Sequence, residues 1–295
     1  MSTPRVVAVV LNYCREALTV ECVRSLEAQQ PEVTIVIVDN SSPDGSGARL
    51  AERFPQHVFL DSGGNLGYTG GNMCGIAWAL ERHAEYAFVI NEDAETTPGC
   101  VAALVAALDA APDAAIAVPT VVHADAPSLV WWVDGYLDEM RALGMHAHFG
   151  RAIAELPPRL RPGAPPRDVP IVSGCALLMR TSTVREVGGL RDDYVNYLED
   201  TELSVRWRRA GHRLLHVPSA QVLHKVAYPP PEPTPYQIRM RDRNRRKFAR
   251  ECLNRAQRIR FHAWFWPTRA LRAVSYVLSA DGARLKALIL GAFGR

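Results

Sequence analysis

Val6-Val7-Ala8-Val9-Val10-Leu11-Asn12 is the stretch on which the fold turns. A strand with one wet face alternates apolar and polar residues. This one does not, so it reads as a strand buried on both faces. Such a strand needs helices on either side of its sheet, and the following segments supply them. Residues 16–29 have helical spacing, with Leu18, Cys22, Val23 and Leu26 on one side. Residues 34–38 repeat the buried-strand pattern and end at Asp39, and a turn-rich loop covers 40–47. Residues 48–54 are helical, 58–60 form a short strand, and 63–71 read as a glycine-rich loop opening a helix that runs through Ala84. Another buried strand, 86–90, ends at Asn91-Glu92-Asp93, and a helix from 98 to about 110 and a strand at 116–119 follow. The alternation predicts an α/β fold with a mostly parallel, Rossmann-like sheet flanked by helices. Ligands of such sheets collect outside the carboxyl ends of the strands. Asn12, Asp39 and Asn91–Asp93 all fall there, which predicts one polar crevice.

From residue 125 to 168 the rhythm is lost. This region holds Trp131, Trp132, His146, His148 and, from Pro157 to Pro170, a run of prolines. It reads as a long, partly irregular insertion of the kind that serves as a lid or binding loop, with both histidines on its surface. Strands at 171–179, 214–217 and 222–223, helices at 181–187 and 200–209, and a helical region from 236 onward complete the chain.

The 295 residues are 48% hydrophobic and 22% charged, a globular composition long enough to bury a full core. The net charge of +3 is unevenly spread: residues 239–295 carry 15 Lys/Arg against 3 Asp/Glu, so this tail is +12 and the rest −9. Such tails meet phosphates, in nucleic acid or on a membrane. The six cysteines form no CxxC pair and read as reduced thiols of a cytoplasmic protein. The apolar start is too short to span a membrane and lacks a signal-peptide cleavage region.

Five short signals can carry chemistry. Asp39, in Val38-Asp39-Asn40-Ser41-Ser42, is either an acceptor for a nucleobase or ribose or a turn-forming residue. Asn65-Leu66-Gly67-Tyr68-Thr69-Gly70-Gly71-Asn72 would bring backbone and a helix N-terminus close to an anion, although its glycine spacing is not that of a dinucleotide site. The carboxylates of Asn91-Glu92-Asp93 can hold a hard divalent cation together with a diphosphate, or form a solvated acidic turn. Glu199-Asp200, before a helix, suits deprotonation of a hydroxyl and also suits capping of that helix. His224 can complete a metal site or be structural.

Taken in order, Asn12-Tyr13, Asp39-Asn40, Asn65 to Asn72, Asn91-Glu92-Asp93, Ser173-Gly174-Cys175, Gly188-Gly189-Leu190 and Glu199-Asp200-Thr201-Glu202 resemble the family-two glycosyltransferases, in the branch of rhamnosyltransferases and galactofuranosyltransferases. The resemblance covers residues 6 to 248. It implies the glycosyltransferase-A fold, a dTDP- or UDP-sugar donor, Mg²⁺ or Mn²⁺, and inversion at the anomeric carbon. It implies a catalytic domain over 1–238, with the donor half at about 1–120 and the acceptor half at about 121–238. By position, Asn12, Asp39, Asn65, Gly67, Asn91 and Arg243 fall on the donor side, and Asp93 and His224 on the metal. Asp200, beside Glu199, matches the base. Ser173, Gly174, Trp131 and Trp132 fall on the acceptor side. Asn91 stands where the family's metal motif often has Asp, so one charge is missing.

The acceptor class implied is a glycan, a lipid-linked sugar or a small molecule. In the basic amphipathic tail, 239–295, aromatics lie among arginines. It is expected to lie on a membrane surface, placing the protein at the inner face of the cytoplasmic membrane, or to pack on the body or a second copy. Two rival readings are a nucleic-acid-binding protein and a sugar nucleotidyltransferase. The first leaves the ordered acidic motifs unused, and the second lacks its glycine- and lysine-rich loop at residues 12–17.

Overall fold

The structure is a computed structural model that describes residues 4–30 and 32–294. Its first half runs β1 (Val6–Asn12), α1 (Glu16–Glu27), β2 (Thr34–Asp39), α2 (Ser46–Arg53), β3 (Val58–Asp61), α3 (Gly67–Glu81) and β4 (Tyr86–Asn91). Then come β5 (Ala94–Thr96), α4 (Cys100–Asp109), β6 (Ala114–His123), β7 (Ala126–Trp132), β8 (Gly135–Asp138), β9 (Leu143–His146), β10 (Arg167–Asp168) and β11 (Ala176–Arg180). The chain continues through α5 (Thr181–Val187), α6 (Glu199–Arg209), β12 (Arg213–His224), α7 (Pro235–Cys252), α8 (Arg255–Leu278) and α9 (Gly282–Ala292).

The central sheet has the order β10-β12-β6-β11-β4-β1-β2-β3. All seven residues of β1 are buried, as its unbroken apolar run requires; each fully buried valine contributes roughly 1.5–3 kcal/mol. The block β4-β1-β2-β3 is parallel, as expected. Beyond β4 the sheet is mixed, because β11 runs antiparallel between β4 and β6. The register places Asn12 beside Asp39, and Asp39 beside Asp61, so the polar strand ends share one edge.

Several boundaries differ from the sequence reading. The glycine-rich stretch is mostly helix, since α3 already starts at Gly67. A Cβ on Gly71 or Gly75 would meet Leu11 Cδ1 at 2.4 Å or Val9 Cγ1 at 2.3 Å, so these glycines let α3 lie flat on β1. Residues 171–175 are not strand, and the two short strands near 214–223 are one strand with an irregularity between Val217 and Gln221. The insertion is ordered: β7 pairs antiparallel with the C-terminal end of β6, and β8 pairs with β9 in a hairpin.

The basic tail begins inside α7, which starts at Pro235 and crosses the expected boundary at 238/239. Thr234 and Gln237 cap it reciprocally, and Asn254 with Gln257 does the same for α8. Helices α7 to α9 pack on the body through a core that includes Tyr194, Leu198, Phe248, Phe261, Phe265 and Ala292.

Candidate active site

The edge where β1 and β2 end is knitted by side chains. Asn12 is fully buried, and its Nδ2 donates to Asp39 Oδ1 (2.7 Å) and Ser46 Oγ (3.0 Å). Asp39 also accepts from Ser42 N (2.9 Å) and Ser42 Oγ (2.6 Å). Both residues therefore stand behind the surface, shaping the turn. The next residue, Asn40, carries the order forward: its Nδ2 donates to Asn65 Oδ1 (3.1 Å) and the Gly67 carbonyl (3.2 Å). Gly67 has φ +70°, and a Cβ there would meet Val195 Cγ1 at 2.5 Å. Only glycine tolerates both demands. Asn40, Asn65, Gly67, Tyr13, Arg15 and Glu92 line a cavity of about 420 Å³ at the N-terminus of α3, the end of a helix that favours anions.

The turn after β4 faces the end of β12. Asp93 Oδ1 lies 3.1 Å from His224 Nε2, and Arg15 lies 3.6 Å from Glu92 and 3.8 Å from Asp93. Burial, then the neighbouring Asp93 charge, pushes the Glu92 carboxyl up to about 7. Asn91 Oδ1 is buried without a partner. One imidazole nitrogen and one carboxylate oxygen, with Glu92 close by, form a donor set that suits Mn²⁺ or Mg²⁺ with an open coordination shell. Among the described residues no three His, Cys, Asp or Glu side chains converge. A cation at this edge would therefore find two protein ligands, Asp93 and His224, with its other positions open.

Asp200 sits in the first turn of α6. Its Oδ2 accepts from Gly174 N (3.0 Å) and its Oδ1 from Thr201 N (2.6 Å), so two backbone N–H groups fix its direction. The approach to α6 is bent: Val195, Tyr197 and Leu198 have φ of +60°, +72° and +65°. Left-handed conformations cost non-glycine residues of order 1–3 kcal/mol each and persist only where surroundings enforce them. The enforcing residue is Asn244 on α7, whose Nδ2 reaches the carbonyls of Tyr194 (2.7 Å), Asn196 (2.8 Å) and Tyr197 (2.8 Å).

Glu199, Asp200, His146, Trp132, Tyr197 and Arg241 line a cavity of about 450 Å³. Burial, followed by the Asp200 charge, raises the Glu199 pKa above its ordinary value, and its Oε2 has no partner. Ser173 is buried and accepts from Cys175 N, shaping the loop behind Asp200.

Two contacts lead to the Asp200 cavity, one from the first cavity and one from the Asp93–His224 pair. Tyr68 lines the first cavity and donates to the Gly174 carbonyl (2.7 Å), next to the N–H that holds Asp200. Burial, then the charges of Glu199, Asp200 and Glu92, drives its phenol pKa well up. The second link is aromatic: the Trp131 ring meets His224 at 4.5 Å and His146 at 4.6 Å, both edge-on.

Two expectations need correction. His146 is no surface residue. The β8–β9 hairpin folds it into the Asp200 cavity, where burial lowers its pKa. Its signal was the short Leu143-Gly144-Met145-His146 run after an Asp-Glu-Met-Arg turn. His148 lies outside that cavity. Arg243 does not face the donor cavity. It donates to the Asp193 carbonyl and to Asn244 Oδ1, fixing the Asn244 amide. Two residues earlier, and about 200° around the helix, Arg241 faces the Asp200 cavity instead. Asn244 was missed because an interior asparagine carries no sequence signal of its partners.

A mixed α/β sheet whose strand ends hold a helix N-terminus, an acid–histidine pair and a helix-borne carboxylate defines a glycosyltransferase of the glycosyltransferase-A fold. Residues 6–188 match the family described as Glycosyl transferase family 2, and the chain belongs to that family. N-acetylglucosaminyl-diphospho-decaprenol L-rhamnosyltransferase of Mycobacterium tuberculosis is 32% identical over 223 residues, 69% of this chain and 70% of its own length. The Low-salt glycan biosynthesis hexosyltransferase Agl10 of Haloferax volcanii is 25% identical, over 80% of this chain and 73% of its own. Among solved structures, GalNAc-T7 with UDP, GalNAc and Mn²⁺ superposes with a TM-score of 0.65 at 17% identity, covering 82% of this chain; the chain spans 47% of that protein. The mannosyltransferase PcManGT of Pyrobaculum calidifontis, in complex with GDP-Man and Mn²⁺, superposes with a TM-score of 0.55 at 16% identity, covering 99% of this chain and 87% of its own.

Proposed function

We propose that this glycosyltransferase moves rhamnose or a related deoxysugar from a dTDP- or UDP-linked donor to a hydroxyl of a lipid-linked glycan, with inversion and with Mg²⁺ or Mn²⁺. One observation carries the reading: Tyr68, in the wall of the cavity holding Asn65, Gly67 and Glu92, donates to the carbonyl of Gly174, the residue whose N–H fixes Asp200 in the neighbouring cavity. The relative's name, a rhamnosyltransferase acting on a diphospho-decaprenol-linked sugar, supports the choice of sugar and acceptor. Asn65 and the N-terminus of α3 at Gly67 bind the donor's diphosphate side. Asp93 and His224 would hold the cation, which when bound would supply positive charge against the departing diphosphate. Asp200 takes the acceptor's proton as the hydroxyl oxygen bonds the anomeric carbon on the face opposite the breaking bond, which inverts that centre.

The C-terminal helices, in this reading, lie on an anionic membrane surface. On α8, Leu271, Val274, Val277 and Leu278 are 56–82% exposed, and Arg255, Arg258, Arg260 and Arg272 share that helix. Among the described residues no helix is long and apolar enough to cross a membrane. Flotation with phosphatidylglycerol vesicles but not with neutral ones supports this attachment. A concentration-dependent dimer that does not float assigns the face to a second copy instead.

Thermal melting with UDP, dTDP and GDP, each with and without Mn²⁺, tests the donor reading. One nucleotide raises Tm in a Mn²⁺-dependent way, by about 2.7 kcal/mol of stability at a hundredfold excess over Kd. Asp93→Ala removes the Mn²⁺ dependence. A wild-type protein that none of the three stabilises contradicts the reading.

A further inference from the structure

Beside the Asp200 cavity lies a second, smaller one of about 180 Å³, walled by Arg241, Asp242, Arg245, Arg269, Arg272 and Leu288. Four guanidinium groups face one carboxylate, an excess of three positive charges. On α7, residues 238, 241, 242 and 245 share one helical face, and α8 brings Arg269 and Arg272 one turn apart. The Arg245 and Asp242 side chains are only 8% and 7% exposed, and that of Arg269 is 12% exposed. Asp242 Oδ1 accepts from Arg269 Nη1 at 2.6 Å, with Arg245 Nη1 at 3.5 Å. Arg245 Nη2, Arg269 Nε and Asp242 Oδ2 are buried without hydrogen-bond partners. Arg245 and Arg269 stack on the same rings, Trp264 and Phe265, at 4.9–5.6 Å. Burial, then the Arg269 charge, lowers the Arg245 pKa to about 10.

Buried like charges with unused donors are costly unless an anion joins them. Guanidinium forks match phosphate oxygens in particular. The cavity is roughly six water volumes of about 30 Å³ each, room for phosphoryl groups rather than a sugar chain. Leu143 and Arg241 line both this cavity and the Asp200 cavity, so the two are contiguous. Past Arg272 lies the exposed apolar face of α8. The order from inside outward is therefore carboxylate base, arginine cluster, apolar surface.

We infer that Arg241, Arg245, Arg269 and Arg272 form a phosphate subsite for the acceptor, so that the hydroxyl presented to Asp200 belongs to a sugar carried on a lipid phosphate or diphosphate. The inference rests on the reading of Asp200 as the acceptor's base.

The test uses the full chain, EDTA-treated to silence the metal site, and three probes: inorganic pyrophosphate, farnesyl diphosphate and farnesol, followed by calorimetry. Farnesyl diphosphate binds, farnesol does not, and pyrophosphate binds more weakly than the lipid form. Arg245→Gln and Arg269→Gln each weaken farnesyl diphosphate binding about tenfold to hundredfold, the scale of a lost charge-assisted hydrogen bond. Because buried variants can misfold, the rim variants Arg241→Gln and Arg272→Gln are measured too, and each weakens binding severalfold. Mn²⁺-dependent nucleotide binding stays at the wild-type level in all four. Unchanged farnesyl diphosphate binding across the four variants overturns the subsite while leaving the donor reading intact. Loss of nucleotide binding by the wild type sinks the parent reading instead. Arginine-dependent binding of phosphatidylglycerol vesicles, with farnesyl diphosphate unaffected, moves the site to a membrane headgroup and overturns the acceptor assignment.

Discussion

Asn244 holds the strained approach to Asp200, and removing its amide isolates that role. Its Nδ2 lies within 2.8 Å of three carbonyls in a segment where Val195, Tyr197 and Leu198 are left-handed. An amide has two hydrogens, so Asn244→Ala loses two bonds' worth of donation and leaves buried carbonyls short. At about 1 kcal/mol per bond, plus about 1 kcal/mol for an unmatched carbonyl, the loss is about 3 kcal/mol. Unfolding entropy of about 2.1 cal/mol/K per residue, over 295 residues, converts this to a Tm drop of about 5 °C. The Asp200 carboxylate loses its aim, so kcat falls by about tenfold or more, and nucleotide affinity falls by less, because Asn196 of that segment also lines the donor cavity, which Asn40 and Asn65 anchor from the other side. Asn244→Asp keeps the shape but offers no donor, and its effect equals or exceeds that of alanine. Calorimetric melting and nucleoside diphosphate release, measured on both variants, decide the matter. An Asn244→Asp protein with wild-type Tm and kcat refutes the hydrogen-bond argument.

Two further outcomes follow from the same geometry. Gly67→Ala, at φ +70° and 2.5 Å from Val195 Cγ1, lowers Tm and weakens nucleotide binding together; a variant with unchanged nucleotide affinity contradicts the role of this turn. Glu199→Gln tests the buried carboxyl, whose folded pKa is raised above 4.5. Below pH 4.5 both states of the wild type are protonated, and above it only the unfolded state ionises, so wild-type stability falls as pH climbs towards the raised value. The variant is therefore more stable than the wild type at pH 8, with a smaller gap at pH 5, and an equal gap at both contradicts the raised pKa.

Much of the fold was legible because β1, β2 and β4 are continuous apolar runs that no amphipathic element matches, each ending in a polar residue. The acidic turn at Asp93 and the carboxylate at Asp200 stood out because carboxylates cluster there at element ends. Asn12 and Asp39 were visible too, although they stand behind the cavity. What stayed hidden depends on distant pairing. The antiparallel direction of β11 is set by its neighbours β4 and β6, which its own five residues do not encode. His146 reaches the cavity only because β8 and β9 pair. Choosing Arg241 over Arg243 needed the rotation of α7, which is fixed by Asn244 and Phe248 packing inward.

The most direct measurement of the central claim is single-turnover transfer by Asp200→Asn, alongside Mn²⁺-dependent nucleotide binding by the same protein. The account predicts binding at the wild-type level and transfer slower by ~10²–10⁴, since the amide keeps the contact with Gly174 in outline but cannot take a proton. Transfer at the wild-type rate contradicts it.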